Sequence, residues 1–218
     1  ATSGPGATNL VTGIADAYAD SIPMIALTGQ VATNLLGTDA FQEIDMTGIC
    51  LPFTKKTYIL KNIADSEKIF KEAYELSING RPGPVLIDIP KDVQNTEIEL
   101  AEDWLEKFNY PQYKRFYNAH PMAIDKALNL LVAAKKPLIL TGHGTILASA
   151  EQELRDFVKT EKIPTISTIL GLGALKHDDP MYFDWLGMHG MKYANTAIQE
   201  ADVIFCIGVR FDAVSYTH

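Results

Sequence analysis

Short, near-continuous apolar runs, several of which open on proline and close on glycine or a turn residue, constrain this chain more than any other feature. They lie at 23–29, 84–90, 137–142, 163–167 and 202–208. A strand-length run without polar alternation is a strand buried on both faces. Between the runs are segments with helical spacing, at 8–18, 66–78, 121–134, 148–160 and 193–201. In the second of these Ile69, Phe70, Ala73, Leu76 and Ser77 recur at three and four residues, and Ser66 is placed as an N-cap. Strands alternating with helices predict βαβ crossovers and a parallel, doubly wound α/β sheet.

The stretch 95–119 breaks that rhythm. Its acids and aromatics, among them Glu97, Glu102, Trp104, Phe108 and Tyr113, follow no strand or long-helix period and read as an interdomain linker. The expected organisation is therefore a domain over 1–98, a linker over 99–118 and a second domain over 119–218, with no internal repeat. The chain begins Ala1-Thr2-Ser3 rather than with methionine, which reads as an internal piece of a longer protein.

Composition narrows the class. With 19 basic and 27 acidic residues among 218 the net charge is -8, so a nucleic-acid partner would meet repulsion. Hydrophobic residues at 47% against 21% charged place the chain with globular proteins rather than disordered ones. No apolar run approaches the roughly 18 residues of a membrane span, and the start lacks a signal-peptide pattern. Cys50 and Cys206, each in apolar surroundings, read as reduced buried thiols, which suits an intracellular protein; the expected location is the cytoplasm, with a plant or fungal organelle as the alternative.

Several polar or glycine-bearing segments follow strand ends, where open α/β sheets bind ligands. Ser3-Gly4-Pro5-Gly6-Ala7-Thr8-Asn9 leads into a helix; it fits a turn capping a core helix, or backbone donors presented to an anion or polar ring. Neither the GxGxxG nor the GxxxxGK[ST] phosphate pattern is present. Gly37-Thr38-Asp39-Ala40-Phe41-Gln42-Glu43 is a solvated loop anchored by Phe41, or a loop reaching a ligand. Arg81 offers a rigid donor fork and Lys91 a compact charge just past a strand end; an Arg–Asp surface pair and a solvated Lys are the plainer alternatives. In the second half the turns around Gly142 and Gly144, Thr168, Leu186 to Gly190, and Gly208 to Asp212 could form a rim touching an extended ligand. His143 and His189 lack metal-ligand spacing, so no metal site is expected within the chain.

Taken together in order and spacing, these motifs resemble the acetolactate synthase (acetohydroxyacid synthase) large-subunit family of thiamine diphosphate-dependent enzymes. The resemblance rests on Thr2-Ser3-Gly4-Pro5-Gly6-Ala7-Thr8-Asn9, on Ala40-Phe41-Gln42-Glu43, on the segment from Gly80-Arg81-Pro82-Gly83 to Pro90-Lys91-Asp92-Val93-Gln94, on Leu186-Gly187-Met188-His189-Gly190, and on Gly208-Val209-Arg210-Phe211-Asp212. It implies part of a thiamine diphosphate pyrimidine-binding domain followed by part of a doubly wound, FAD-binding central domain. The implied reaction is decarboxylation of pyruvate and carboligation to pyruvate or 2-oxobutyrate, on the route to valine, leucine and isoleucine. The implied cofactors are thiamine diphosphate, Mg and FAD.

By position, the resemblance puts Thr2, Pro5, Gly6, Asn9 and Gln42 at the thiamine pyrimidine, and Phe41, Gln42, Lys91 and His189 around the reacting groups. It puts Arg81, Gly142, Gly144, Thr168, Leu186, Gly187, Met188, His189, Gly208, Arg210 and Asp212 along FAD. The family's catalytic glutamate and its Mg-binding motif have no counterpart in these 218 residues, so the piece alone is expected to be inactive. The family pattern Arg-Phe-Asp-Asp-Arg reads Arg210-Phe211-Asp212-Ala213-Val214 here, which leaves acceptor preference open. A homodimer or tetramer and a small regulatory subunit are further implications. The alternatives are a glyoxylate carboligase or pyruvate oxidase type of enzyme, and a noncatalytic cofactor-binding module.

Overall fold

The computed structural model describes residues 1–99 and 119–211. The chain divides into two compact units, Ala1–Phe116 and Tyr117–His218. Apart from Glu99, the linker expected over 99–118 lies outside the described residues, as do Asp212 and Val214.

The first unit runs α1 (Pro5–Thr8), α2 (Val11–Asp20), β1 (Met24–Gln30), a 3₁₀ turn (Thr33–Leu35), α3 (Met46–Cys50), β2 (Lys56–Ile59), α4 (Ser66–Ile78), β3 (Pro84–Pro90) and α5 (Lys91–Gln94). Its sheet has the order β1-β3-β2, parallel throughout. The central strand β3 explains its own sequence. Leu86 packs with Ile14 of α2 and Met46 of α3 on one face, while Val85 and Ile87 pack with Ala73 of α4 and Leu60 on the other. A strand covered on both sides has no solvent face on which polar residues could alternate. Proline is tolerated at its first position because Pro84 needs only its carbonyl there, which accepts from Lys55 N at 2.8 Å.

The second unit runs α6 (Pro121–Ala133), β4 (Pro137–Thr141), α7 (His143–Leu147), α8 (Glu151–Glu161), β5 (Thr165–Ser167), β6 (Tyr182–Trp185), α9 (Lys192–Glu200) and β7 (Val203–Ile207). The strand order is β6-β5-β4-β7, again parallel. Ile139 points into a cluster with Leu131 of α6 and with Leu154 and Val158 of α8. Its neighbours Leu138 and Leu140 join Ile166 and Ala194 of α9 on the opposite face. Each such side chain withdrawn from water stabilises the unit by about 1.5–3 kcal/mol, and the alternation makes the sheet doubly wound.

Several expectations need correction. β1 and β7 are edge strands and are not buried on both faces: Leu27 is 42% and Ile204 41% exposed. The helix expected over 8–18 is two helices, because Pro5 at the first helical position starts a short turn that ends at Asn9 before α2 begins. Ser66 is the first residue of α4 rather than its cap. The chain enters α4 through a 3₁₀ turn at Ile63–Asp65, where the Asn62 side chain accepts from Ala64 N at 3.0 Å. Cys50 is buried but Cys206 only partly so, and both thiols are free. Among the described residues no helix is long and apolar enough to cross a membrane.

Candidate functional site

In the first unit the carboxyl ends of β1 and β3 gather the segments singled out from the sequence. Gly4 sits at φ 63, and a Cβ placed on it would lie 2.9 Å from Gln42 Cβ and 3.0 Å from Gln42 O. The Ser3-Gly4-Pro5-Gly6 turn and the Ala40-Phe41-Gln42-Glu43 loop therefore touch, backbone against backbone. Gly29, one residue before the end of β1, leaves room for the same turn: a Cβ there would lie 3.3 Å from Ser3 N and 3.6 Å from the Gln94 amide nitrogen of α5. Thr2, Pro5 and Asn9 are exposed around this junction, and a Cβ on Gly6 would meet the Thr2 methyl at 2.5 Å.

The loop holds its own shape. The Glu43 carboxylate accepts from Gly37 N and, at 3.0 Å, from Ala40 N, bending residues 37–43 around one side chain. Those backbone donors, Gly37 first, draw the Glu43 carboxyl below its ordinary pKa. Asp39 and Gln42 both take left-handed backbone, at φ 56 and 63. Non-glycine residues rarely adopt this region, and it clusters at functional sites. Phe41, 88% exposed, and the exposed Gln42 stand at the tip.

Lys91 follows the last residue of β3 as the first residue of α5, exposed and with no carboxylate paired to it among the described residues. Its neighbour Asp92 accepts from Thr33 N at 3.0 Å and from the Thr33 hydroxyl, which ties α5 to the 3₁₀ turn after β1. Arg81 is engaged elsewhere in this unit. Its Nε donates to Ser21 Oγ at 2.8 Å, its Nη2 donates to Tyr18 O, and its guanidinium lies 4.8 Å from the Tyr18 ring centre. Two of its three nitrogens thus cap the carboxyl end of α2, in place of the carboxylate pair weighed as the plain alternative.

In the second unit the space beside several of the expected rim glycines is taken by internal packing. A Cβ on Gly142 would lie 2.6 Å from Gly208 O, one on Gly144 2.7 Å from Gly208 Cα, and one on Gly171 2.7 Å from Thr141 O. These glycines let the ends of β4 and β7 and the following turns close on one another, so their smallness does not reserve space for a ligand. Thr168 N donates to Thr141 O at 2.9 Å and belongs to the same junction. The turn from Leu186 to Gly190 is different. Gly187, at φ 120, has open space where a Cβ would go, and Met188 and His189 are exposed. The Asn195 side chain grips Gly187, accepting from its N–H and donating to its carbonyl, both at 2.9 Å. Arg210 is exposed beyond β7. Among the described residues no group of three or more His, Cys, Asp and Glu is arranged to hold a metal ion.

Sequence reasoning missed Gln30, Asp88 and Asn195. Asp88 carried a usable signal, since a carboxylate inside a run that reads as buried on both faces must have partners. It is 1% exposed and accepts from Thr28 Oγ1 at 2.7 Å and from Gln30 Nε2 at 2.8 Å, while burial, the larger effect, pushes its pKa up.

Residues 1–49 match the family model for the N-terminal TPP-binding domain of thiamine pyrophosphate enzymes, and residues 124–218 the model for their central domain. With a parallel α/β sheet in each unit, these matches define the class: the chain belongs to the thiamine pyrophosphate enzymes. Within that class it is similar to large subunits of acetolactate synthase. It is 48% identical over 211 residues to the probable acetolactate synthase large subunit of Methanocaldococcus jannaschii, across 96% of this chain and 36% of that protein. It is 48% identical over 212 residues to the acetolactate synthase large subunit of Corynebacterium glutamicum, across 97% and 34%. It is 46% identical over 211 residues to the acetolactate synthase isozyme 3 large subunit of Escherichia coli, across 97% and 37%. The chain thus spans about a third of the length of the curated relatives it matches.

Proposed function

We propose that the whole protein decarboxylates pyruvate and joins the two-carbon unit to a second pyruvate or to 2-oxobutyrate, as an acetolactate synthase large subunit in branched-chain amino-acid synthesis. The observation that carries this is the meeting of Gly4 with Gln42 inside a unit whose first residues match the thiamine-binding domain. Thiamine diphosphate, when bound, supplies the electron sink that decarboxylation of a 2-oxo acid requires. The residues present fit its pyrimidine side: a glycine turn closed against a polar loop, with Thr2, Pro5, Gly6, Asn9 and Gln42 around the junction. Gln42 presents an amide from a positive-φ backbone position, Phe41 places an exposed apolar ring beside it, and Lys91 offers a charge with no carboxylate paired to it among the described residues to a substrate carboxylate.

The second unit is the proposed FAD-binding part. Its open turn at Gly187, Met188 and His189, with Arg210, is the portion proposed to meet an extended ligand, whereas Gly142, Gly144 and Gly208 serve by letting the ends of β4 and β7 close on one another. Arg81 would reach FAD only with the donors left over from its hold on α2. Mg is proposed for the whole protein, with ligands outside this chain. Further proposals are a domain boundary within 99–118, a homodimer or tetramer with a small regulatory subunit, and a cytoplasmic location.

The test is to supply the whole protein with thiamine diphosphate, Mg and FAD and to follow acetolactate from pyruvate and acetohydroxybutyrate from pyruvate plus 2-oxobutyrate. Formation of either supports the proposal. Consumption of glyoxylate with neither product would assign it to a sibling carboligase, and inertness toward all three acids would reduce it to a binding module. The 218-residue chain alone is expected to be inactive.

A further inference from the structure

We infer that Gln30 and Asp88 are positioning residues that hold the loop carrying Phe41 and Gln42 against the Gly4 turn; the inference rests on the proposed reading of that loop as the thiamine side of the site. The chain of contacts begins in the middle of the central strand. Asp88 divides its two oxygens between Thr28 Oγ1 and Gln30 Nε2. Gln30, 5% exposed at the end of β1, uses the other hydrogen of the same nitrogen to reach Ile44 O at 2.7 Å, and its Oε1 accepts from Val31 N at 2.8 Å. Every polar atom of the amide is therefore committed. Turning it over would set Oε1 against both the Asp88 carboxylate and the Ile44 carbonyl, so Asp88 fixes which way the amide faces, and its charge strengthens the donor.

The Ile44 contact is the one that leaves the sheet. The parallel ladder already aligns β1 with β3 from Met24↔Pro84 to Gln30↔Pro90, so the register does not need this side chain. The loop, for its part, is bent around Glu43, whose carboxylate links Gly37 N and Ala40 N. Ile44, two residues after Gln42, is where that loop joins the body of the unit. Its carbonyl takes the Gln30 amide in addition to Met46 N, which donates at 3.0 Å from α3. Of these two bonds, the one from Gln30 ties the loop to the sheet.

An exchange of the two groups separates this role from a merely structural one. In the whole protein carrying Asp88→Asn together with Gln30→Glu, the amide now on β3 donates to the carboxylate now on β1 and still accepts from Thr28, and that carboxylate still accepts from Val31 N. The buried pair is thus restored, but Ile44 O faces an oxygen instead of a donor. We expect the double variant to melt close to the parent, its crystal structure to show Gln42 withdrawn from Gly4 by about 1 Å, and kcat for acetolactate formation to fall roughly 10- to 100-fold with a smaller change in KM for pyruvate. If the exchange prevents folding, Gln30→Met, which keeps length and removes the donor, is read in the same two ways. An unmoved loop overturns the inference, and so does a displaced loop with unchanged kcat. Should the parent make no acetolactate, the functional reading fails, while the crystallographic comparison still decides whether Gln30 holds the loop.

Discussion

Gly4 and Gln42 meet with no room for a side chain on the glycine, whose Cβ would fall 2.9 Å from Gln42 Cβ and 3.1 Å from Gln42 Cα. Both residues have positive φ, and Gly4, at φ 63 and ψ -122, lies in a region that side-chain-bearing residues rarely enter. Gly4→Ala should cost about 1–3 kcal/mol in conformation and about 1–3 kcal/mol in overpacking against backbone. Gly6→Ala is the control. Its obstacle is the Thr2 methyl, a side-chain atom that can move, and the expected loss is under about 1 kcal/mol. Urea unfolding of the two variants checks the ordering, and equal midpoints would refute it.

The Glu43 staple makes the loop pH-sensitive. Backbone donors, Gly37 foremost, hold its folded pKa below the ordinary 4.5, so the contribution is fully present above that value and is lost as pH falls through the depressed one. Amide exchange at Gly37 and Ala40, corrected for the intrinsic pH dependence, should show constant protection above about pH 4.5 and declining protection below it. Glu43→Gln should remove the pH step. Persistence of the step in that variant would mean that another group is responsible.

How much of this was readable beforehand follows from how each element is stabilised. β3 was legible to its ends because it is central and prolines bracket it, and α4 because its apolar spacing runs its full length. β2 and β6, Lys56-Thr57-Tyr58-Ile59 and Tyr182-Phe183-Asp184-Trp185, were not, since each is a short edge strand with polar and aromatic residues and little full burial. At the site, the glycines announced that backbone freedom was needed but not what claims the space. Gly4 gives its space to Gln42, whereas Gly142 and Gly144 give theirs to Gly208, a distinction that exists only after folding. The bonds that Gln30 donates to Asp88 and to Ile44 likewise join residues that only the fold brings together.

Arg81 provides a test of structure against cofactor. Its bonds to Ser21 and Tyr18 and its place over the Tyr18 ring use the planar fork, which a lysine ammonium cannot reproduce. Arg81→Lys should therefore destabilise the first unit by about 1 kcal/mol, the usual net worth of such hydrogen bonds. The loss should appear in thermal melts without any added FAD. A variant that melts like the parent without FAD, in a whole protein whose parent gains a melting increment on adding FAD that the variant lacks, would assign the residue to the proposed cofactor instead.

The glycines of the second unit should divide into two groups. Gly208 sits at φ 62, and an added Cβ would run into Thr145 N and lie 2.7 Å from the Gly144 carbonyl carbon; Gly144→Ala would press on Gly208 Cα. Backbone cannot retreat as a side chain can, so either substitution should cost about 3 kcal/mol or more and unfold a marginal unit. Gly187→Ala has open space and is penalised only by its φ of 120, at about 1–3 kcal/mol. Because Gly187 lies in the turn proposed to face FAD, its substitution should weaken flavin retention more than stability, measured as bound flavin per protein after gel filtration. The reverse ranking, with Gly144→Ala folded but flavin-free, would return that glycine to the binding rim.

Asp88 should bend the pH dependence of stability in the direction opposite to its neighbours. Asp45 and Asp92 are held below their ordinary pKa by the bonds they accept, from Gly48 N first and the Thr33 hydroxyl first respectively, so they stabilise above the usual carboxylate range and lose that contribution in acid. Burial raises Asp88, with Thr28 and Gln30 offsetting only part of the effect. A raised folded pKa means that the folded state takes up a proton more readily than the unfolded chain. The favourable contribution is therefore complete below the ordinary 3.8 and is lost as pH rises through the raised value. Relative to the parent, Asp88→Asn should lose most stability in acid and progressively less as pH rises toward neutrality, because the parent alone meets the cost of ionising a buried carboxyl. Urea midpoints of both proteins at closely spaced pH values test this. A difference that stays constant across the acid range would show that Asp88 titrates alike in the folded and unfolded states.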